Sequence, residues 1–99
     1  MDIVYRLNGI VFEWDAEKAH LNLEKHGVAF EEAAEVFFDP FYKAGDATPS
    51  DVAEQRDFLL GYSARLRLIL VVHTERGPRT RIISARPATR AEKRVYESA

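Results

Sequence analysis

The sequence predicts an α+β fold, and three observations carry the prediction. Apolar residues recur at helical spacing between residues 15 and 39. From residue 57 onward they recur instead in short strand-like runs joined by tight, turn-rich connections. An Asn8-Gly9 dipeptide with apolar residues on both sides marks a hairpin near the N-terminus. The expected architecture is N-terminal helices packed on a curved antiparallel β-sheet, followed by a short C-terminal helix. Ninety-nine residues suffice for one core and not for two, so residues 1–99 are read as a single domain.

Each element has a local reason. Asn-Gly tolerates the positive φ angles of a two-residue turn, which predicts strands over 3–7 and 10–14. Asp15 is a good N-cap for the helix AEKAHLNLEKH, and Gly27 ends it, with Val28 placed for the apolar contact of a helix C-cap. Ala16, Ala19, His20 and Leu23 follow helical spacing and are expected to face the core. Lys18, Asn22 and Lys25 then form a polar stripe on another face. In FEEAAEVFFD, Phe30, Ala33, Ala34 and Phe37 point inward and Glu31, Glu32 and Glu35 outward, with Pro40 ending the helix. FYKA reads as a strand and GDATPSDVAEQ as an acidic loop. DFLLGYS, LRLILVVH and TRIISAR follow as an antiparallel meander, closed by Pro87. Thr89 caps the terminal helix RAEKRVYE, with Glu92 as its capping-box partner.

Composition narrows the function. Without cysteine there is no disulfide framework, thiolate metal site or cysteine nucleophile. The first residues lack a signal-peptide pattern and no apolar run reaches membrane-spanning length, so a soluble cytoplasmic protein is expected. His20, His26 and His73 are the only histidines, and His20 and His26 do not share a helix face as metal ligands would. No metalloprotease, phosphate-loop or dinucleotide motif is present. Residues 1–50 hold ten acids against four bases, whereas residues 51–99 hold six acids against ten bases. This asymmetry points to a charged partner, and the basic half suits an anion such as RNA.

The basic residues concentrate in RTRIISARPATRAEKR, residues 79 to 94, where five arginines and Lys93 face a single acid, Glu92. Pairing Thr74 with Arg79 and His73 with Thr80 puts Leu66, Leu68, Leu70 and Val72 on the core face with Ile83 and Ala85. The other face then collects Arg67, Ile69, Val71, His73, Thr80, Ile82, Ser84 and Arg86. A solvated sheet face is one reading of that mixture. The sharper reading is a phosphate-handling surface, because arginine binds phosphate bidentately and histidine titrates near neutrality. In metal-free RNA cleavage the 2′-hydroxyl attacks the adjacent phosphate. The protein removes that proton, offsets charge on the pentacoordinate phosphate and protonates the leaving 5′-oxygen. His73, Glu75 and Tyr96 are the candidates for proton transfer.

Several strings resemble the BrnT toxins of bacterial toxin–antitoxin systems. They are WDAEKAHLNLEKHGVAFEEAAEVF, VVHTERG and RIISARPATRAEKRVYE, together spanning roughly residues 12–97. The first carries Trp14, Asp15, Lys18, Asn22, Lys25, His26, Gly27 and Val28 in the family's spacing. The resemblance implies a RelE-like fold and a ribonuclease that blocks translation by cutting RNA, without metal or cofactor. It also implies a BrnA-like antitoxin with a ribbon-helix-helix domain, through which alone the pair would meet promoter DNA. Under that reading Arg67, His73, Arg81 and Arg86 form the phosphate-handling and proton-transfer group, with Glu75, Arg76 and Tyr96 behind them. Arg79, Arg90 and Lys25 are further RNA contacts. Arg81 falls on the core face in this register, so either it curls over the sheet edge or the register is off by one. The stripe Lys18–Asn22–Lys25 either lines the same cleft or, the favoured reading, orients the helix on the sheet. The sequence departs from the family in a longer N-terminal hairpin, in Pro87 where a further base is common, and in EQR at 54–56, which keeps Arg56. The alternative function is a non-catalytic nucleic-acid-binding or corepressor module acting with a DNA-binding partner.

Overall fold

A computed structural model of the chain describes residues 1–98. Six strands form one open sheet: β1 (Asp2–Leu7), β2 (Ile10–Asp15), β3 (Lys43–Asp46), β4 (Asp57–Tyr62), β5 (Leu68–Arg76) and β6 (Arg79–Pro87). Three helices accompany them: α1 (Ala16–His26), α2 (Phe30–Glu35), which runs into a 3₁₀ turn over Val36–Phe38, and α3 (Arg90–Glu97). The strand order is β1-β2-β6-β5-β4-β3. Neighbours are antiparallel except β2 and β6, which run parallel through Phe12↔Thr80 and Glu13↔Arg81. No helix of the described residues is long and apolar enough to cross a membrane.

The expected elements form for the expected reasons, except that the strand read in FYKA runs over Lys43–Asp46 and takes Gly45 and Asp46 from the expected loop. Asn8 and Gly9 both take positive φ (48° and 84°) and close the β1–β2 hairpin. The Asp15 carboxylate accepts the Lys18 N–H at 2.9 Å, and Gly27 ends α1 in the left-handed region at φ 69°. Thr89 and Glu92 make the reciprocal capping box of α3. One face of the sheet packs against α1 and α2 through Phe12, Trp14, Val28, Phe30, Ala33, Ala34, Val36, Ile69, Val71 and Ile82. The Trp14 ring meets Phe30 edge-on at 5.8 Å and Phe12 meets Phe37 at 5.0 Å. On the opposite face α3 lies against β4, where Tyr96 stacks edge-on to Tyr62 at 5.1 Å.

Three expectations are corrected. The first concerns the inner stripe of α1: Leu23 and His20 are exposed and Asn22 is buried. The second concerns Glu32, which is buried beneath Arg67 and Ser63 instead of facing solvent. The third is the β5–β6 register. Gly77-Pro78 makes a two-residue turn, with glycine first at φ 57°, so Arg76 rather than Thr74 pairs with Arg79. A bulge beside Val72/His73 then leaves Ile83 without a partner. The helices cover Ile69, Val71, His73, Ile82 and Ala85, so the face expected to be open is the buried one.

Candidate nucleic-acid interface

Cross-strand partners share a face, and the observed register therefore gathers a second set of side chains on the open side of the sheet. The pairs are Leu70↔Arg86, Val72↔Ser84, Thr74↔Arg81 and Arg76↔Arg79. Arg81 thus leaves the core face that the sequence reading gave it and joins Arg86, Arg79 and Arg76 on the open one. The bulge at Ile83 accomplishes this, because it lets Ile82 and Ala85 both turn inward while Arg81, Ser84 and Arg86 all turn outward.

The arginines are held by carboxylates. Arg81 Nη1 donates to Glu13 Oε2 at 2.7 Å and to Asp2 Oδ2 at 3.1 Å, and its Nη2 donates to Asp2 Oδ1 at 3.2 Å. Arg79 lies 3.6 Å from Glu13. Arg86 forks onto Glu92 with two bonds of 2.8 Å. That fork, with the Thr89 N–H, holds the Glu92 carboxyl down to about 2. Arg76 pairs with Glu54 at 3.2 Å. Arg90 is exposed on α3.

Beyond Arg81, β2 no longer pairs with β6, and α1 covers the edge. Asn22 does what a strand would: its Oδ1 accepts the Ala85 N–H at 3.1 Å and its Nδ2 donates to the Ala85 carbonyl at 2.8 Å. The same Nδ2 reaches the Val28 carbonyl at 3.0 Å. Asn22 therefore orients the helix on the sheet, which is the favoured reading of its stripe for this one member. Beside it runs a groove of about 240 Å³ lined by Lys18, Lys25, His26, Ile83 and Ser84. No carboxylate lines it. Ser84 belongs both to this groove and to the open face, so the two basic surfaces are continuous across the edge of β6.

The other proposed residues lie elsewhere. Arg67 sits in the β4–β5 connection, where it clamps Glu32 through Nε at 3.0 Å and reaches the Gly27 carbonyl at 2.9 Å. Its guanidinium, opposed by burial and helped by Ser63, holds the Glu32 carboxyl below the ordinary range. His73 is on the helix-covered face, edge-on to Phe37 at 4.9 Å and 3.6 Å from Glu75. Burial pushes its imidazole down, against the pull of Glu75 and Asp57. Glu75 accepts from Thr80 at 3.2 Å. Tyr96 donates to Asp39 at 2.6 Å, and burial with that carboxylate pushes its hydroxyl up to about 12. The structure brings Arg76, Arg79, Arg81 and Arg86 to one surface and leaves Arg67, His73 and Glu75 off it, while Tyr96 lies on the same face of the sheet with its hydroxyl tied to Asp39. Sequence reasoning passed over His26 as a groove residue and gave cleft lining by Lys18 as the less favoured reading of its stripe. Their signal was the spacing of 18, 22, 25 and 26, which stacks them on one side of α1.

The sequence profile of the family described as "ribonuclease toxin, BrnT, of type II toxin-antitoxin system" matches residues 14–92. The crystal structure of the Brucella abortus ribonuclease toxin BrnT superposes with a TM-score of 0.60 at 26% identity, over 78% of this chain and 94% of that one. No curated protein matches the sequence.

Proposed function

Given that the chain belongs to the BrnT family of ribonuclease toxins of type II toxin–antitoxin systems, we propose that it cuts RNA internally, without a metal, on the basic surface of β6. Translation is blocked by that cleavage until a BrnA-like ribbon-helix-helix antitoxin binds. RelE-like chemistry is part of the same reading. The observation that carries it is the placement of Arg81, Ser84 and Arg86 on the open face, continuous with the Lys18–Lys25 groove. An RNA strand crossing the β6 edge meets cations on both sides of it, and each guanidinium can trade a carboxylate oxygen for a phosphate oxygen.

The chemistry then divides among residues. Arg81 and Arg86 offset charge on the pentacoordinate phosphate, and the lysines hold the strand in register. Proton transfer requires a titrating group that lines the surface. His26 is the histidine among the described residues that does so, and His73 stands across the sheet. The geometry thus favours His26 for this task over His73, Glu75 and Tyr96.

With chelator present, the purified chain is expected to cleave single-stranded RNA. His26→Gln should slow cleavage by about 100-fold with RNA affinity retained, while His73→Gln stays within a few-fold of the parent. Cleavage that requires added metal, or the reverse ranking of the two histidines, contradicts the assignment. The carboxylate partners of the arginines favour a second reading, in which the pairs serve only as framework and the chain is a binding or corepressor module. That reading predicts RNA binding without cleavage.

A further inference from the structure

Across the sheet from the basic surface, where β3, β4 and β5 end together, the chain carries an acidic hollow. A pocket of about 520 Å³ is lined by Tyr42, Gly45, Asp46, Gln55, Asp57 and His73. It shares Gln55 and Asp57 with a second hollow that adds Glu54, Thr74 and Glu75. No lysine or arginine lines the first, and in the second Glu54 is paired with Arg76. His73 itself is only 8% exposed, and its Nδ1 has no hydrogen-bond partner among the described residues. A buried polar atom left this way is costly; Glu75 Oε1 stands 3.6 Å from it, and Asp46 and Asp57 share its hollow. Burial pushes the imidazole toward its neutral form, so no cation of the lining faces Asp46 and Asp57, which accept hydrogen bonds from Thr48 and Gln55.

Two further features adjoin the hollow. Phe41 is 73% and Tyr42 45% exposed, next to each other at its rim. β3 is the last strand of the sheet, with one backbone edge unpaired. A peptide running along β3 would find backbone partners, aromatic side chains to cover and an anionic socket at a single place.

We propose that this corner is the docking surface for a basic, partly apolar segment of a partner protein, with one arginine side chain seated in the hollow against Asp46, Asp57 and His73. Arginine fits better than lysine, because its planar fork can bridge the two carboxylates while stacking on Tyr42. The proposal rests on the type II reading for the identity of the partner as the antitoxin. It places that contact on the side of the sheet away from the RNA surface.

The test uses two capped peptides, acetyl-Ala-Leu-Arg-Leu-Ala-amide and its glutamate counterpart, titrated into the ¹⁵N-labelled chain. Spermidine serves as a free-cation control. The arginine peptide should shift the amides of Ala44, Gly45, Asp57 and His73 saturably, with a dissociation constant on the order of 1 mM. The glutamate peptide should shift none of them. Asp46→Asn with Asp57→Asn should weaken binding by about tenfold, as should Tyr42→Ala, which lies on the surface and leaves the carboxylates intact. Shifts that are absent, shifts that cluster on α1, or equal shifts from spermidine overturn the proposal. RNA cleavage by the double asparagine variant should match the parent. Loss of cleavage in the parent itself would sink the ribonuclease reading without touching the peptide result.

Discussion

Asn22 shows how much one side chain can decide. Its amide makes three hydrogen bonds to backbone groups in a buried setting, and two of them stand in for the strand that β6 lacks beyond Arg81. Replacing it by alanine leaves the Ala85 N–H and carbonyl and the Val28 carbonyl without partners. The expected cost is about 2–4 kcal/mol, read as a lower urea midpoint. Asn22→Asp should be as damaging at similar size, because a carboxylate cannot donate to the two carbonyls. If aspartate is tolerated, the amide is only filling space. Helical spacing of apolar residues pointed to Leu23 as the buried member of this turn, and it misled for a physical reason. A sheet edge needs hydrogen bonds more than it needs another methyl group, and periodicity counts only hydrophobicity.

Among the elements, the two N-terminal strands, α1 and the capped α3 were legible because each is fixed by a local signal: Asn8-Gly9, Asp15 with Gly27, and Thr89 with Glu92. The face of β5 was not. Leu68, Ile69, Leu70, Val71 and Val72 are apolar on both sides of the strand, so alternation cannot say which side the helices cover. The bulge at Ile83 then changes the phase of β6 midway, with no glycine or proline to announce it. This is why the arginine group was foreseen in kind but assembled with the wrong neighbours. The α3 contact makes its own prediction. Arg86 holds Glu92 at about 2 in the folded chain against an ordinary 4.5, so that stabilisation is complete above about pH 4.5 and is lost as pH falls toward 2. Allowing for solvent screening of a partly exposed pair, it is worth on the order of 2 kcal/mol. Denaturant titrations at about pH 5 and about pH 3 should show a smaller drop for Glu92→Gln than for the parent. Equal drops would mean the fork does not bind α3 to the sheet.

At the scale of the whole molecule, both halves of the sequence contribute to the basic surface and to the acidic corner. The excess acid of the first half is spent partly on the arginines, through Asp2, Glu13 and Glu32, and partly on the corner at Asp46. What remains free of carboxylates is the groove along β6, where Lys18, Lys25 and His26 meet Ser84. A net charge of −2 therefore coexists with a surface suited to polyanions. Arg81 and Arg86 are proposed to act on RNA phosphate from the open face of β6. The most direct test is the initial rate of RNA cleavage by the purified parent beside an Arg81→Gln, Arg86→Gln variant whose fold is verified by its melting transition. Cleavage by the parent is expected, with a loss of about 100-fold or more in the variant. A folded variant that cuts RNA at the parent's rate would contradict that role.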